Sequence, residues 1–360
     1  LWVPSRVAYQ WGSFSAAEIV TDTTDPSTVP RRRPAPTISQ VAAAAGVSRA
    51  TVSRAFTRPE MLSEDTVRHV RATADAIGYV PNQVARALST GRNGNLALIV
   101  PDVTNPFFPP LIRAAQRRAE EAGFCVFLGN SDEMPEREDT LVSRFSGQVE
   151  GVILASPRMH ADHIRRHAER RPLVLINRDV SGISRVLINS AQGIAAAITH
   201  LHELGHRRIV YVSGPSASWS NQQRQRAIGR EAKARRIDVV TIPARLPSYE
   251  SGRAAATQVG SAGATAAIAF DDLIAQGLIA GLTERGVEVP ARFSVIGCDD
   301  VLGTTTYPPL TTVAARCSDA GEAAADLLIK LMQAGGPSEV RCVLGSHLVV
   351  RATTAPAPRR

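Results

Sequence analysis

The chain has almost no lysine. Lys233 and Lys330 are its only two, so its 41 basic residues are nearly all arginine. With the abundant alanine this reads as compositional bias and names no partner. Cysteine is sparse as well: Cys125, Cys298, Cys317 and Cys342 lie far apart, with no Cys-x-x-Cys pair. That excludes a disulfide framework or a zinc ribbon and leaves buried thiols in a reducing cytoplasm as the expectation. No apolar run approaches the ~20 residues that a spanning helix needs. A basic leader followed by a continuous apolar core is missing, so a secretion signal is not expected. There is no Walker loop, no G-x-G-x-x-G and no G-x-S-x-G, which removes the common nucleotide-binding and serine-hydrolase sites. The chain is expected to be no enzyme and to use no cofactor.

What is present is enough for two or three domains. The 360 residues can bury a sizeable core. An apolar content of 44% excludes wholesale disorder. The formal net charge of +8 suits a polyanionic partner, although a biased genome produces the same excess.

Residues 37–56, TISQVAAAAGVSRATVSRAF, hold two short helical patterns around a Gly46-Val47-Ser48 break. Thr37 and Gln40 have the spacing of a capping box, which starts a helix near Ile38. Val41, Ala42 and Ala45 give that helix one small apolar face. Gly46 can take the left-handed conformation that ends it. Ser48 is placed to cap a second helix. There Val52, Ala55 and Phe56 fall on one side, and Arg49, Ala50, Ser53, Arg54 and Thr57 on the other. No acid interrupts residues 39–57. A helix pair with a cationic, short-side-chained outer face is what a helix-turn-helix needs. Small residues let the helix sink into the major groove, and arginines reach guanine edges or phosphates. The period alone would also serve a helical hairpin inside some core.

Thr37-Ile38, Val41-Ala42, Ala45-Gly46-Val47-Ser48 and Thr51-Val52-Ser53-Arg54 together decide between these readings. The stretch resembles the DNA-binding headpiece of the lactose-repressor (LacI/GalR) family, and the resemblance continues to about Thr354. It implies a cytoplasmic, sequence-specific transcriptional repressor, a homodimer on a palindromic double-stranded operator. Ser48, Arg49, Ala50, Thr51, Ser53 and Arg54 then meet DNA, with Arg49, Ala50 and Arg54 reading bases.

Residues 1–36 fit nothing in the family. They mix Trp2, Tyr9 and Trp11 with polar residues and end in Arg31-Arg32-Arg33-Pro34. A disordered tail is expected, which either adds non-specific phosphate attraction or does nothing. Ser63, Glu64 and Asp65 open a third helix with Val67, Val70, Ala74 and Ile77 as its stripe, completing a headpiece over residues 37–80. Residues 81–92 are expected to be hinge and linker. Within them NQVARAL, residues 82–88, is far shorter than the ~12–15 residues of a stable isolated helix, so ordering on DNA is expected. The resemblance makes this a hinge helix. Asn82 then lies at the DNA, Ala85 at the contact between two such helices, and Leu88 wedges into the minor groove. Read alone, Leu88 is a core leucine.

From Asn95 the pattern changes. Apolar strands at residues 96–100, 124–128, 151–155, 173–176, 209–212, 266–270 and 294–297 alternate with helical stretches at 111–121, 136–145, 194–204, 224–234 and 273–285. This implies two series of parallel strands covered on both faces, hence two doubly wound subdomains with a cleft between them. The fold class is therefore an N-terminal all-α helix-turn-helix headpiece plus an α/β core of two doubly wound parallel-sheet subdomains. The core resembles the periplasmic-binding-protein-like core of the same family. Val100-Pro101-Asp102 through Asn105-Pro106-Phe107-Phe108, Leu204-Gly205-His206-Arg207-Arg208-Ile209, Ser294-Val295-Ile296-Gly297 with Asp299-Asp300, and Pro309-Leu310-Thr311-Thr312 carry that likeness. It implies an effector-binding and dimerisation core over residues 93–354 and a tail over 355–360. It also implies three crossings between subdomains, expected at residues 179–187, 312–316 and 335–341.

Ligands of such sheets sit beyond the carboxyl ends of the strands. Asn105, Phe107, Phe108, Trp219, Arg226, Asp271 and Asp299 follow strand ends and are the candidate effector residues. Carboxylates and an arginine hold several hydroxyls, and aromatic faces cover a pyranose, so a carbohydrate is the leading ligand class. By resemblance Arg226, Asp271 and Asp299 contact effector. The family usually has asparagine at the position of Asp271, which makes this pocket more acidic, and often aspartate where Asn189 stands. Trp219 reads equally as a ligand face or a packing residue; Asp272 and Asp300 read as caps. His202-Glu203-Leu204-Gly205-His206 matches H-E-x-x-H, but Gly205 stops the helix that would have to carry both histidines, so no metal site is expected. A solute-binding protein of a transport system would share the core and lack residues 37–88.

Overall fold

The structure is a computed structural model that describes residues 35–80, 93–334 and 339–358. The chain divides into two compact units, Leu1–Asn82 and Gln83–Arg360. The positions Asn82, Ala85 and Leu88 lie outside the described residues, as do the tail over 1–34 and the hinge.

Among its described residues, the first unit holds helices α1 (Ile38–Ala45), α2 (Arg49–Thr57) and α3 (Glu64–Ala76), with a 3₁₀ turn at Pro59–Met61. Thr37 N–H donates to Gln40 Oε1 at 2.7 Å, closing the capping box. Gly46 ends α1 at φ 64°, the left-handed region where a Cβ is strained. Ser48 Oγ accepts the Thr51 N–H at 3.1 Å and so starts α2. Val41, Ala42, Ala45, Val52, Ala55, Val70 and Ala74 form the buried centre. Phe56 and Tyr79 close its edge with ring centroids 5.9 Å apart.

The second unit is built on two six-stranded sheets. The first contains β1 (Asn95–Val100), β2 (Cys125–Asn130), β3 (Gly151–Ala155), β4 (Leu173–Ile176), β5 (Arg185–Ile188) and β11 (Arg341–Leu344), in the order β11-β5-β4-β3-β1-β2. All its pairings are parallel. The second contains β6 (Arg208–Ser213), β7 (Asp238–Pro243), β8 (Ala266–Ala269), β9 (Ser294–Asp299), β10 (Thr311–Ala314) and β12 (His347–Val349), in the order β12-β10-β9-β8-β6-β7. Only its edge strand β12 runs antiparallel. In both sheets the chain starts one strand in from an edge and then reverses direction across the sheet. That reversal makes a switch point between β1 and β3, and another between β6 and β8.

Both faces of each sheet are covered. Along β1, Leu96, Leu98 and Val100 enter one cluster while Ala97 and Ile99 enter another. The helices are α4 (Phe108–Glu121), α5 (Pro135–Phe145), α6 (Ala161–Arg170), α7 (Ala191–Glu203), α8 (Trp219–Ala234), α9 (Tyr249–Ser261), α10 (Asp272–Thr283) and α11 (Cys317–Ala334). α9 and α10 pack backbone to backbone: a Cβ at Gly277 would meet the Tyr249 carbonyl oxygen at 1.9 Å.

The chain crosses between subdomains after β5, between β10 and α11, and between β11 and β12. The middle crossing falls within the expected 312–316. The outer two come later than the expected 179–187 and 335–341. The expected segments run into β5 and β11, which pair with each other as the last strands of the first sheet.

Candidate functional site

α2 sorts its residues as a groove-entering helix requires. Val52 and Ala55 are fully buried, whereas Arg49, Ala50 and Arg54 are exposed and Thr51 and Ser53 half-buried. Its first turn contains no acid. Ser48 is occupied by its capping role and also hydrogen-bonds the Thr51 hydroxyl at 2.9 Å. The outward face is therefore two guanidinium groups flanked by alanine and serine, cationic and shallow.

In the core, the strand ends of both sheets converge on a cavity. From the first sheet come Asn105, Phe107 and Phe108 after β1, Glu133 after β2, Ser156 and Arg158 after β3, and Asn177 after β4. From the second come Ser218, Ser220 and Arg224 after β6, Phe270 and Asp271 after β8, and Asp299 at the end of β9.

The charged groups are locked in place. Arg158 grips Glu133 with two bonds, Nε to Oε2 at 2.5 Å and Nη2 to Oε1 at 3.0 Å. The buried Glu138 carboxylate accepts the N–H groups of Arg158 and Met159, which fixes the loop that aims Arg158. Arg224 Nη2 donates to Asp299 Oδ1 at 2.6 Å, and its Nη1 donates to the Phe270 carbonyl. The guanidinium also lies 4.9 Å from the centre of the Phe270 ring. Burial opposes the charge on Arg224, but Asp299 more than compensates, so the group holds its proton more tightly than a free arginine. Its Nε is buried without a partner.

Asp271 caps α10 through Ile274 N–H at 2.8 Å and accepts Asn105 Nδ2 at 3.2 Å. Burial, reinforced by the nearby Asp299, pushes its pKa up to about 7. Asp272 faces the other way. Its oxygens accept Thr312 Oγ1, Val301 N–H and Leu302 N–H. It thus anchors the turn that follows Asp299, where Asp299 and Asp300 hold φ of 109° and 57°.

Of the seven expected effector positions, five line the cavity: Asn105, Phe107, Phe108, Asp271 and Asp299. Two do not. Arg226 is exposed, and the arginine of the cavity is Arg224, two residues earlier and on the opposite side of α8. Asn221, Arg224, Ala227 and Ile228 belong to the buried stripe of that helix. Trp219 is half-buried in the first turn of α8 and is not part of the lining. Glu133, Ser156, Arg158, Asn177, Ser218, Ser220 and Phe270 went unrecognised. Ser156 and Asn177 do follow expected strands and could have been found that way. His206 is also accounted for: its ring bonds Thr265 Oγ1, Ser294 Oγ and the Ala355 carbonyl, as a buried structural histidine. α7 stops at Glu203, before it.

A helix-turn-helix unit joined in one chain to a two-sheet cleft defines a ligand-responsive DNA-binding protein. Residues 37–82 match the family of bacterial regulatory proteins, lacI family, and residues 198–354 match the periplasmic binding protein-like domain. The chain is 31% identical over 331 residues to the HTH-type transcriptional regulator DegA of Bacillus subtilis (strain 168), covering 89% of this chain and 98% of that one. It is 28% identical to the HTH-type transcriptional repressor CytR of Escherichia coli (strain K12), covering 91% and 99%. Among solved structures, the lac repressor dimer bound to operator and the anti-inducer ONPF superposes with a TM-score of 0.80 at 26% identity, covering 89% and 99%. The transcriptional regulator CelR–cellobiose complex superposes with a TM-score of 0.64 at 28% identity, covering 88% and 99%. The chain belongs to the lacI family of bacterial transcriptional regulators and is not an enzyme. A transport solute-binding protein would share only the core, whereas these regulators match along nearly their whole length. No helix among the described residues is long and apolar enough to cross a membrane.

Proposed function

We propose that this protein is a cytoplasmic repressor that binds a roughly palindromic operator as a homodimer and is controlled by a small carbohydrate-like effector in the cleft of its core. The observation that carries the effector reading is the cavity between the two sheets. It is walled by both subdomains and lined by aromatic rings, hydroxyls and fixed charges. The solved relatives support the ligand class, since one is a cellobiose complex and another was solved with bound ribose. Arg49, Ala50 and Arg54 read bases from α2, with Ser48, Thr51 and Ser53 beside them. Asn82, Ala85 and Leu88 serve the hinge.

An effector can act only through a difference in affinity between two states, typically ~1–3 kcal/mol of coupling. Because the cavity takes residues from both sheets, a ligand there favours one angle between them over another. The DNA-competent fraction changes accordingly. Selection of DNA from a random pool by the full chain, followed by a metabolite panel on the selected sequence, tests the reading. A defined two-fold site whose occupancy responds to one class of small molecule is expected. A site indifferent to every ligand that stabilises the protein would refute it.

A further inference from the structure

We infer that the molecule recognised in this cleft carries a protonated amine beside its hydroxyls, and that Asp271 is the group that pairs with it. The inference rests on the effector reading above and narrows its ligand class.

Five charged side chains line the cavity: Glu133, Arg158, Arg224, Asp271 and Asp299. The two cations are already committed. Arg158 is bidentate on Glu133, and Arg224 is bonded to Asp299. Asp271 is only 2% exposed, yet its hydrogen-bond donors, Ile274 N–H and Asn105 Nδ2, are both neutral. The other acids near it, Asp299 from β9 and Asp272 beside it on α10, repel a negative charge there, and Arg224 from α8 offsets this only in part. The cavity thus holds one carboxylate more than it has cations, and the surplus sits on Asp271. A carboxylate out of water either takes up a proton or acquires a cation.

A second, independent feature constrains the rest of the ligand. Arg224 Nε is buried with no acceptor, on a side chain 6% exposed that lines the same cavity. A ligand oxygen beside the Arg224 side chain would suit that donor. A neutral polyol would supply that oxygen but bring no cation, so Asp271 would have to keep a proton in place of its charge. An anionic ligand would enlarge the negative excess. An amino sugar or amino polyol satisfies both groups: its ammonium donates to Asp271 Oδ2 and a hydroxyl oxygen accepts from Arg224. Phe107, Phe108 and Phe270 offer apolar faces to the ring.

The test uses thermal melting of the full chain near neutral pH with glucosamine, galactosamine and mannosamine. Each is set beside its parent hexose and its N-acetyl form, which removes the charge. At least one amino hexose is expected to raise the melting temperature by more than twice the shift of its neutral counterparts. Asp271→Asn should erase that preference, and it should fold, because asparagine caps helices as well as aspartate does. A neutral hexose shifting the wild type as strongly as its amine overturns the inference and leaves the effector cleft standing. No response to any of the amino hexoses overturns it as well. An amine response unchanged in both Asp271→Asn and Asp299→Asn would place binding outside the cleft and overturn both readings.

Discussion

Asn105 Nδ2 donates to Asp271 Oδ2 at 3.2 Å, so the loop after the first strand of one sheet is tied to the N-cap of a helix on the other. This bond joins one wall of the cavity to the other. Asp271 consequently serves three ends at once: it caps α10, bridges the subdomains and faces the ligand space. Its protonation state links all three.

The first prediction concerns pH. Asp271 and Asp272 are both raised to about 7, by burial first and by Asp299 second. An unfolded aspartate titrates near ~3.9. The native state therefore binds more protons than the unfolded state between those values. The stability these groups contribute is fully present below the unfolded pKa and is lost as pH rises through about 7. Melting temperatures recorded from pH 5 to 8 should fall with rising pH, and the fall should be shallower in Asp271→Asn. Identical slopes in the two proteins would show that Asp271 does not titrate there.

A second prediction addresses the buried pair. Asp299→Ala strands the Arg224 cation in an enclosed site, which costs roughly 3–5 kcal/mol. Replacing both partners by Leu and Met removes the stranded charge and should cost clearly less than Asp299→Ala alone. Urea unfolding of the three proteins measures this. A double variant no more stable than Asp299→Ala would mean that Arg224 and Asp299 do not support one another.

The headpiece yields a third. Arg54 is exposed, so Arg54→Ala should leave melting nearly unchanged. It should remove about 1–3 kcal/mol of discrimination between operator and scrambled DNA. Ser48→Ala should instead lower headpiece stability by about 1 kcal/mol, through loss of the α2 cap. Fluorescence anisotropy with both DNAs, beside melting curves, separates the two effects. Undiminished specificity in Arg54→Ala would remove it from the recognition surface.

How much of this was legible depended on local periodicity. The capping box at Thr37 and Gln40, the stop at Gly46 and the cap at Ser48 are local chemistry, and the structure contains each. Most central strands read as continuous apolar runs because both faces are covered, but β10, which opens on Thr311 and Thr312, did not. β7, β11 and β12 did not, because they are edge strands with alternating or partial exposure. β5 is short and begins with the buried Arg185, whose ion pairs with Asp179 and Glu339 have no trace in a hydropathy pattern. The cavity was half visible for the same reason. Residues that immediately follow expected strands could be placed there. Arg158 and Glu133 sit deeper in loops, and their partnership exists only in three dimensions. That Arg224 and not Arg226 lines the cavity is a matter of helical phase, carried by the buried stripe of α8.

The most direct measurement is the affinity of the full chain for its selected operator, titrated with a cleft ligand in the wild type and in Asp299→Asn. Ligand should shift wild-type operator affinity by about 5- to 150-fold, the range of ordinary allosteric coupling, and leave the folded variant's affinity unmoved. An equal shift in both proteins, or none in a wild type shown to bind the ligand, would contradict control of DNA binding from this cleft.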